Sequence, residues 1–454
     1  MEKTILFRNA DVVATMDDHM REIPGGGVFV RGNRIETAGS AEELPDTADE
    51  IIDVSGHVLT PGLINTHHHM FQSLTRALPA AQDSELFDWL NALFPVWRNI
   101  TPDMVQAASR TAMAELMLTG CTTAADHAYI YFNGIRLDDS IAAAEEMGIR
   151  FHAVRGAMSR GKSQGGLPPD VVVEKDESAV LADMQTVIER HHDPRSDGMI
   201  KVAVGPTSPF TVSTDLMRES AALARSYGVG LHTHTAENSK DVAYSKACYG
   251  MTPTQYAEEM GWVGDDVWHA HCVHLDDSGV RLFARTGTGV AHCPCSNMRL
   301  ASGLAPVSNM MRAGVKIGLG VDGSASNDSG DLLGEARQAM FSARVRDHDP
   351  AAMTARQALS LATRGGASVL GRDNHLGRLQ EGYCADLVAF PLNDIAQAGS
   401  HSDPIASLVF CTPPRVTWSM IDGRMAIRDG RLMSADLGQI IHQHNRLSAR
   451  LLDG

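Results

Sequence analysis

One pattern constrains the fold of this chain more than any other. Between residues 58 and 322, short apolar runs alternate eight times with stretches of helical spacing. The runs are residues 58–64, 122–127, 151–156, 200–205, 230–234, 267–271, 289–292 and 315–322. Strands that alternate with helices build a parallel sheet, and eight such units suit a closed (β/α)8 barrel better than its rival, an open doubly wound sheet. One helix start is legible in detail. Thr101 is placed to cap it, Pro102 is at its first position and Asp103 is in its first turn; the pattern runs to about Leu118 and stops at Gly120.

The flanks read differently. Residues 4–14, 27–36 and 51–54 at one end, and 377–379, 385–390, 416–421 and 424–432 at the other, look like short strands between Gly, Asn and Asp turns. Together they read as one small sheet or sandwich that joins the two termini. The expected α/β architecture is therefore residues 1–60 and 373–454 as the two parts of that small domain, the second ending in a tail, with residues 61–372 as a (β/α)8 barrel between them.

The barrel expectation says where chemistry belongs, because functional side chains sit at the C-terminal ends of barrel strands. His67 and His69 end the first run, and alternation puts them on one side of the strand with His68 on the other. His234 ends the fifth run with Glu237 three residues on; His271 ends the sixth, His292 the seventh and Asp322 the eighth. Histidines kept for packing have no reason to recur at strand ends. A set of imidazoles and one carboxylate suits Zn²⁺ or Fe²⁺, and with an open position it brings bound water towards neutral pKa. Asp322 can then accept a proton from water, Glu237 can carry one to a leaving group, and His271 can hydrogen-bond the attacking oxygen.

Some neighbours look like ligands and are read otherwise. His232 and His269 lie one residue pair deeper and are expected to support or fill the barrel core. Cys293-Pro-Cys295 lacks a second cysteine pair, which weakens it as a zinc signal. Cys272 is expected to face outward. Asp126-His127 is a weaker candidate for the rim. Trp89 and Trp97 are read as a helix packing face.

Composition removes several function classes. With 454 residues, 43% hydrophobic and 21% charged, the chain is globular. A formal net charge of −16 disfavours nucleic acid and anionic lipid as partners. The first residues carry too short an apolar run for a signal peptide, no run of 18 apolar residues spans a membrane, and the 7 scattered cysteines suit a reducing compartment. A cytoplasmic protein acting on a small molecule, as a homo-oligomer, is expected.

Five segments carry a resemblance: residues 61–69, 232–237, 270–274, 292–298 and 320–327. With them the chain resembles the amidohydrolase superfamily, in its guanine deaminase and chlorohydrolase branch. The resemblance runs nearly end to end and includes residues 377–388, and it implies a distorted (β/α)8 barrel with a small β-sandwich built from both termini. It implies one divalent metal, Zn²⁺ foremost and Fe²⁺ as the alternative, on His67, His69, His234 and Asp322. It also implies Glu237 as proton shuttle, His271 as polarising residue and Asp322 as a catalytic base. Binuclear members use a carboxylated lysine on the fourth strand; here Lys201 is at the wrong end of that strand, which favours a single metal. Cys295 stands where similar proteins often have Thr.

Residues 69–82 and 155–169 look like those of 8-oxoguanine deaminases, a group similar in sequence to hydroxyatrazine ethylaminohydrolases. Gln72, Arg155 and Gln164 are the substrate-binding residues this implies, with residues 165–169 as a loop at the third strand's mouth. The expected activity is hydrolysis of a C–N bond in a cyclic amidine: 8-oxoguanine to uric acid and ammonia. A triazine, guanine or a pterin is the alternative substrate. A catalytically silent barrel used for assembly is the alternative class, disfavoured because every ligand, Glu237 and His271 are present.

Overall fold

The structure, a computed structural model, describes residues 2–453. Eight parallel strands close into a barrel: Leu63–Asn65, Cys121–Ala128, Arg150–Ala157, Ile200–Pro206, Gly230–Thr235, Val267–His271, Gly289–His292 and Lys316–Leu319. Strand alternation decides what faces the lumen. Ile64, Ala125, Val154, Ala203, Trp268 and Ala291 pack together inside, while Phe151, Ala153, Val202 and Val204 pack outward among the helices. Trp268 is the one large side chain in that lumen, and Val369, Leu370 and Leu376 plug the floor beneath it.

The seam between the eighth and first strands is thin. It has one paired position, Leu319 with Asn65, whereas the third and fourth strands pair over seven. Side chains supplement it. The Asn65 carboxamide oxygen accepts from Val321 N–H, and the Thr66 hydroxyl donates to Leu319 O.

Both termini form the sandwich. A four-stranded sheet contains Thr4–Arg8 and a seven-stranded sheet contains His57–Pro61 paired antiparallel with Leu387–Pro391, which joins the two ends of the chain. Phe7, Val28, Val30, Leu59, Leu387 and Met420 fill the space between the sheets. The run at 4–14 is broken at Asn9, which adopts φ 64°, so it makes two strands rather than one. Residues 377–379, read as a strand, form none; they follow the floor plug, and Leu379 N–H donates to Thr15 O (2.8 Å). A buried ion pair ties the bodies: Arg150, at the foot of the third strand, meets Asp386 (2.7 Å) and Asp422 (2.8 Å) of the sandwich.

Helices cover the barrel. Pro102–Leu118 starts and stops as expected, but Thr101 does not cap it: its hydroxyl donates to the Asp103 carboxylate instead. The chain ends in a helix the sequence reading left as a tail, Leu437–Asp453. Leu447 and Leu451 join a cluster with Trp89, Phe94 and Trp97, and His444 bonds Ser73 O (3.0 Å). This helix backs the wall of the cleft described next. No helix among the described residues is long and apolar enough to cross a membrane.

Candidate metal centre and active site

Four side chains meet at the C-terminal mouth. His67 Nε2 lies 3.2 Å and His69 Nε2 3.5 Å from Asp322 Oδ1, and His69 Nε2 lies 3.1 Å from His234 Nε2. Their other nitrogens decide the tautomers. His69 Nδ1–H donates to His127 O and His234 Nδ1–H to Thr207 O, each at 2.6 Å. His232 Nδ1–H donates to Trp268 O (2.8 Å), so its Nε2 is an acceptor and takes the Nδ1–H of His67 (2.7 Å). Neutral His67, His69 and His234 therefore all present an Nε2 lone pair at the mouth; His67 and His69 form one ligand group with Asp322, and His234 joins His67 in a second with His271. Buried lone pairs 3.1 Å apart repel one another unless a cation lies between them, and His67 Nε2 and Asp322 Oδ1 have no hydrogen-bond partner. The donor set fits a divalent metal.

Local sequence explains the placement. Asp322 has φ 62° and His271 has φ 70°, left-handed values that cost about 1–3 kcal/mol each and persist where surrounding packing imposes them. For His271 the turn is decisive. Alternation from Trp268, which faces the lumen, would put His271 outside with His269. The left-handed backbone swings it to the mouth. His269 does face outward: it stacks on Phe283 and bonds Trp262 O, so it does not fill the core as expected. Gly320 leaves room for the first ligand, since a Cβ there would lie 2.7 Å from His67 Cβ.

The Asp322 carboxylate is shared by role. Oδ2 accepts from Ser296 Oγ (2.5 Å) and Ser326 Oγ (2.9 Å), leaving Oδ1 for the imidazoles. His271 Nδ1–H donates to Asn297 Oδ1 (2.9 Å), so its Nε2 faces Glu237 Oε2 at 3.6 Å and Asp322 Oδ2 at 3.9 Å. Burial pushes the Glu237 carboxyl up to about 7. Burial pulls His271 down, but the charges of Glu237 and Asp322 outweigh it and its pKa is raised.

The cleft beside this cluster is walled by Gln72, Trp89, Phe94, Tyr129, Met158 and Phe210. Gln72 is buried; its Nε2 donates to Tyr129 OH (3.0 Å), while its Oε1 has no partner. A Cβ on Gly323 would overlap that oxygen, so the amide occupies space only glycine leaves.

Two expected substrate residues are elsewhere. Arg155 has the outward parity of Phe151 and Ala153, pairs with Glu174 and Asp183 (2.7 Å each), and lies over the Tyr131 ring. Gln164 lines a separate outer surface with Arg160 and Lys175; from its loop it is Leu167 and Pro168 that reach the cleft. His68 turns away and accepts from His69 N–H. His292 joins no ligand group. His127 lies in the lumen within reach of His69 and His234; its Nε2–H is used on Gly205 O (2.8 Å), and its Nδ1 is buried without a partner. Cys293 and Cys295 are not ligands: their segment carries Ser296 and Asn297, and Cys295 N–H donates to Glu335. Lys201 is at the opposite end of the fourth strand, bonded to two carbonyl oxygens.

The sequence reading missed Tyr129, Ser296, Asn297 and Ser326. Tyr129 shares the parity of His127, and the other three stand in segments that the reading had singled out for other residues.

A closed (β/α)8 barrel with a cluster of imidazoles and a carboxylate at its C-terminal mouth that could hold a metal is the architecture of a hydrolase barrel. The chain belongs to the amidohydrolase family, whose model matches residues 58–426. It is similar to an 8-oxoguanine deaminase of Pseudomonas aeruginosa, 40% identical over 432 residues and 95% of each chain. It is also similar to a hydroxydechloroatrazine ethylaminohydrolase of Pseudomonas sp. strain ADP, 34% identical over 99% of this chain and 96% of that one. Among solved structures, an atrazine chlorohydrolase from Arthrobacter aurescens TC1 complexed with zinc superposes with a TM-score of 0.93 at 34% identity, covering 98% of this chain and 100% of that chain.

Proposed function

We propose that this protein is a mononuclear, zinc-dependent aminohydrolase that converts 8-oxoguanine to uric acid and ammonia, in the cytoplasm. It acts as a hydrolase on the C–N bond of a cyclic amidine. The observation that carries the substrate class is Gln72, which lines an apolar cleft beside the ligand cluster and whose Oε1, buried against Gly323, has no partner. A buried acceptor without a partner selects a substrate that brings an N–H. The lactam form of 8-oxoguanine carries N–H at both N7 and N9, where guanine carries one. The 40% identity to an 8-oxoguanine deaminase supports the same choice.

A divalent cation held by His67, His69, His234 and Asp322 supplies Lewis acidity and a water activated at neutral pH. The residues of the chain do the rest. The aromatic walls hold the ring flat, and Gln72 fixes its rotation. Asp322 accepts the proton of the attacking water. Glu237 delivers a proton to the ring nitrogen next to the amino-bearing carbon, and His271 hydrogen-bonds the oxygen added there. The proton held by Asp322 passes to the amino group while Glu237 takes back the proton of the added hydroxyl. The C–NH2 bond breaks as C=O forms, which leaves a lactam (C=O beside N–H) and ammonia, with both carboxyls returned to their starting state.

A second reading keeps the chemistry and changes the ring to a triazine or pterin. The identity to the hydroxydechloroatrazine enzyme and to an isoxanthopterin deaminase (33% over 99% of this chain) favours it. Ammonia release from 8-oxoguanine, guanine, isoxanthopterin and cytosine separates the readings, with ethylamine release from hydroxydechloroatrazine as the triazine arm. Sites that demand a substrate hydrogen bond reject analogues lacking it by as much as about 10⁴-fold. We expect kcat/KM for 8-oxoguanine well above that for guanine. Equal rates would overturn the assignment to 8-oxoguanine and leave the deaminase reading standing.

A further inference from the structure

The barrel floor, at the other end from the metal ligands, holds a second cavity of ≈ 430 Å³. His152, His192, Lys201, Trp268 and Arg372 are among its lining residues. Lumen parity places His152 and Lys201 there, since Val154 and Ala203 on the same strands face inward. Arg372 arrives on the turn after the floor plug and is only 3% exposed.

Arg372 is a buried cation without a counter-ion. Its Nη2 donates to Ser196 O (3.0 Å) and Gly198 O (2.9 Å), while Nε and Nη1 are buried with no partner. Lys201 Nζ donates only to carbonyl oxygens, Asp193 O and Arg195 O, both at 2.6 Å. His192 Nδ1 accepts from Val202 N–H, so its hydrogen is on Nε2, and His152 Nε2 is buried without a partner. The acids nearby are engaged elsewhere: Asp193 with Arg195, Asp197 with Arg34, Asp266 with Arg225, and Asp386 with Arg150. Asp265 lines the rim and is exposed. Burial and the charge of Arg372 pull Lys201 down to about 8, and burial and the charge of Arg150 pull Arg372 down to about 10. Native interiors leave few such donors unmet, and a guanidinium fork matches the oxygens of a tetrahedral anion.

We propose that the floor cavity is an oxyanion-binding site, with Arg372 and Lys201 as its charged groups, that takes phosphate either free or as the phosphoryl group of a larger metabolite. The test uses the metal-loaded full chain. Inorganic phosphate and adenosine monophosphate are titrated separately by calorimetry at constant ionic strength, with sodium chloride as the control. Wild type should bind, and Arg372→Gln and Lys201→Gln should each weaken binding by at least ~10-fold, the loss expected for one charge-assisted hydrogen bond. Lys201→Gln leaves the Arg372 contacts to residues 196 and 198 intact, so it decides the matter if Arg372→Gln does not fold. Equal affinity for the two ligands assigns the free anion; a tenfold preference for the nucleotide, lost in Lys201→Gln, assigns a phosphoryl-bearing metabolite. No binding beyond the chloride control, or an unchanged affinity in Lys201→Gln, would overturn the proposal.

Discussion

At the scale of single residues, two carboxylates at one mouth have separate environments and therefore separate tasks. Asp322 keeps one oxygen on two serine hydroxyls and offers the other to the imidazoles. Glu237 has no such donors, and burial raises it to about 7, in the range where a group both holds and releases a proton near neutrality. Glu237→Gln keeps the shape and removes the proton. Turnover should fall about 10²–10⁴-fold, the usual contribution of a general acid or base, while the metal per chain measured by atomic absorption stays constant. A near-normal rate in that variant would remove Glu237 from the mechanism. His67, His69, His234, Glu237, His271 and Asp322 were each legible in the sequence because strand ends in a barrel share one mouth. Arg155 was not, because its place depends on parity: an odd number of residues from the lumen-facing Val154 puts it outside. His271 was found although parity argued against it, since the backbone turn that brings it in leaves no mark in residue type.

At the scale of elements, the helix Leu332–Asp347 supports the mouth through Glu335. Its carboxylate accepts from Cys295 N–H (3.1 Å) and from the Asn327 amide (2.7 Å), and so fixes the segments that carry Ser296 and Ser326. Burial pushes this carboxyl up to about 8, against the pull of those hydrogen bonds. The sign of the linkage follows. An acid whose pKa is higher folded than unfolded binds more protons when folded. Its contribution is complete below the unfolded value near 4.5 and is lost as pH rises through about 8. Wild type should therefore lose stability relative to Glu335→Gln between those values, by at most about 1.4 kcal/mol per pH unit. Thermal unfolding of both proteins at pH 6, 7 and 8 measures this, and parallel curves would show that Glu335 does not titrate there. Helices such as Pro102–Leu118 were legible from their end signals, whereas Leu437–Asp453 was passed over as a tail. Its role is tertiary: Leu447 and Leu451 meet aromatic residues more than 340 positions earlier in the chain, which no local pattern announces.

At the scale of the whole molecule, the side chains placed to hold a metal come from the first, fifth and eighth strands, and the thin seam where Asn65 meets Leu319 has His67 and His69 on one side and Asp322 on the other. A cation bound there is a clasp on the barrel's closure as well as a reagent. Ligand-linked stabilisation reaches about 4 kcal/mol when free metal exceeds its Kd a thousandfold. Chelation should accordingly lower Tm by several degrees, zinc should restore it, and hydrogen exchange should quicken first at residues 65–67 and 319–322. An unchanged Tm would mean that the seam holds by its hydrogen bonds alone. The closed barrel and the terminal sandwich were both readable from the alternation of runs, but the weakness of that seam was not, because it arises from how short the Leu63–Asn65 strand is once folded. The seam carries one more consequence. A barrel is a sheet whose two edges satisfy each other, and when they part each becomes an unpaired row of N–H and C=O groups, a template for a strand of another molecule. If a cation clasps this seam, the chelated protein should associate edge to edge faster than the metal-loaded protein, and light scattering of the two at equal concentration measures it.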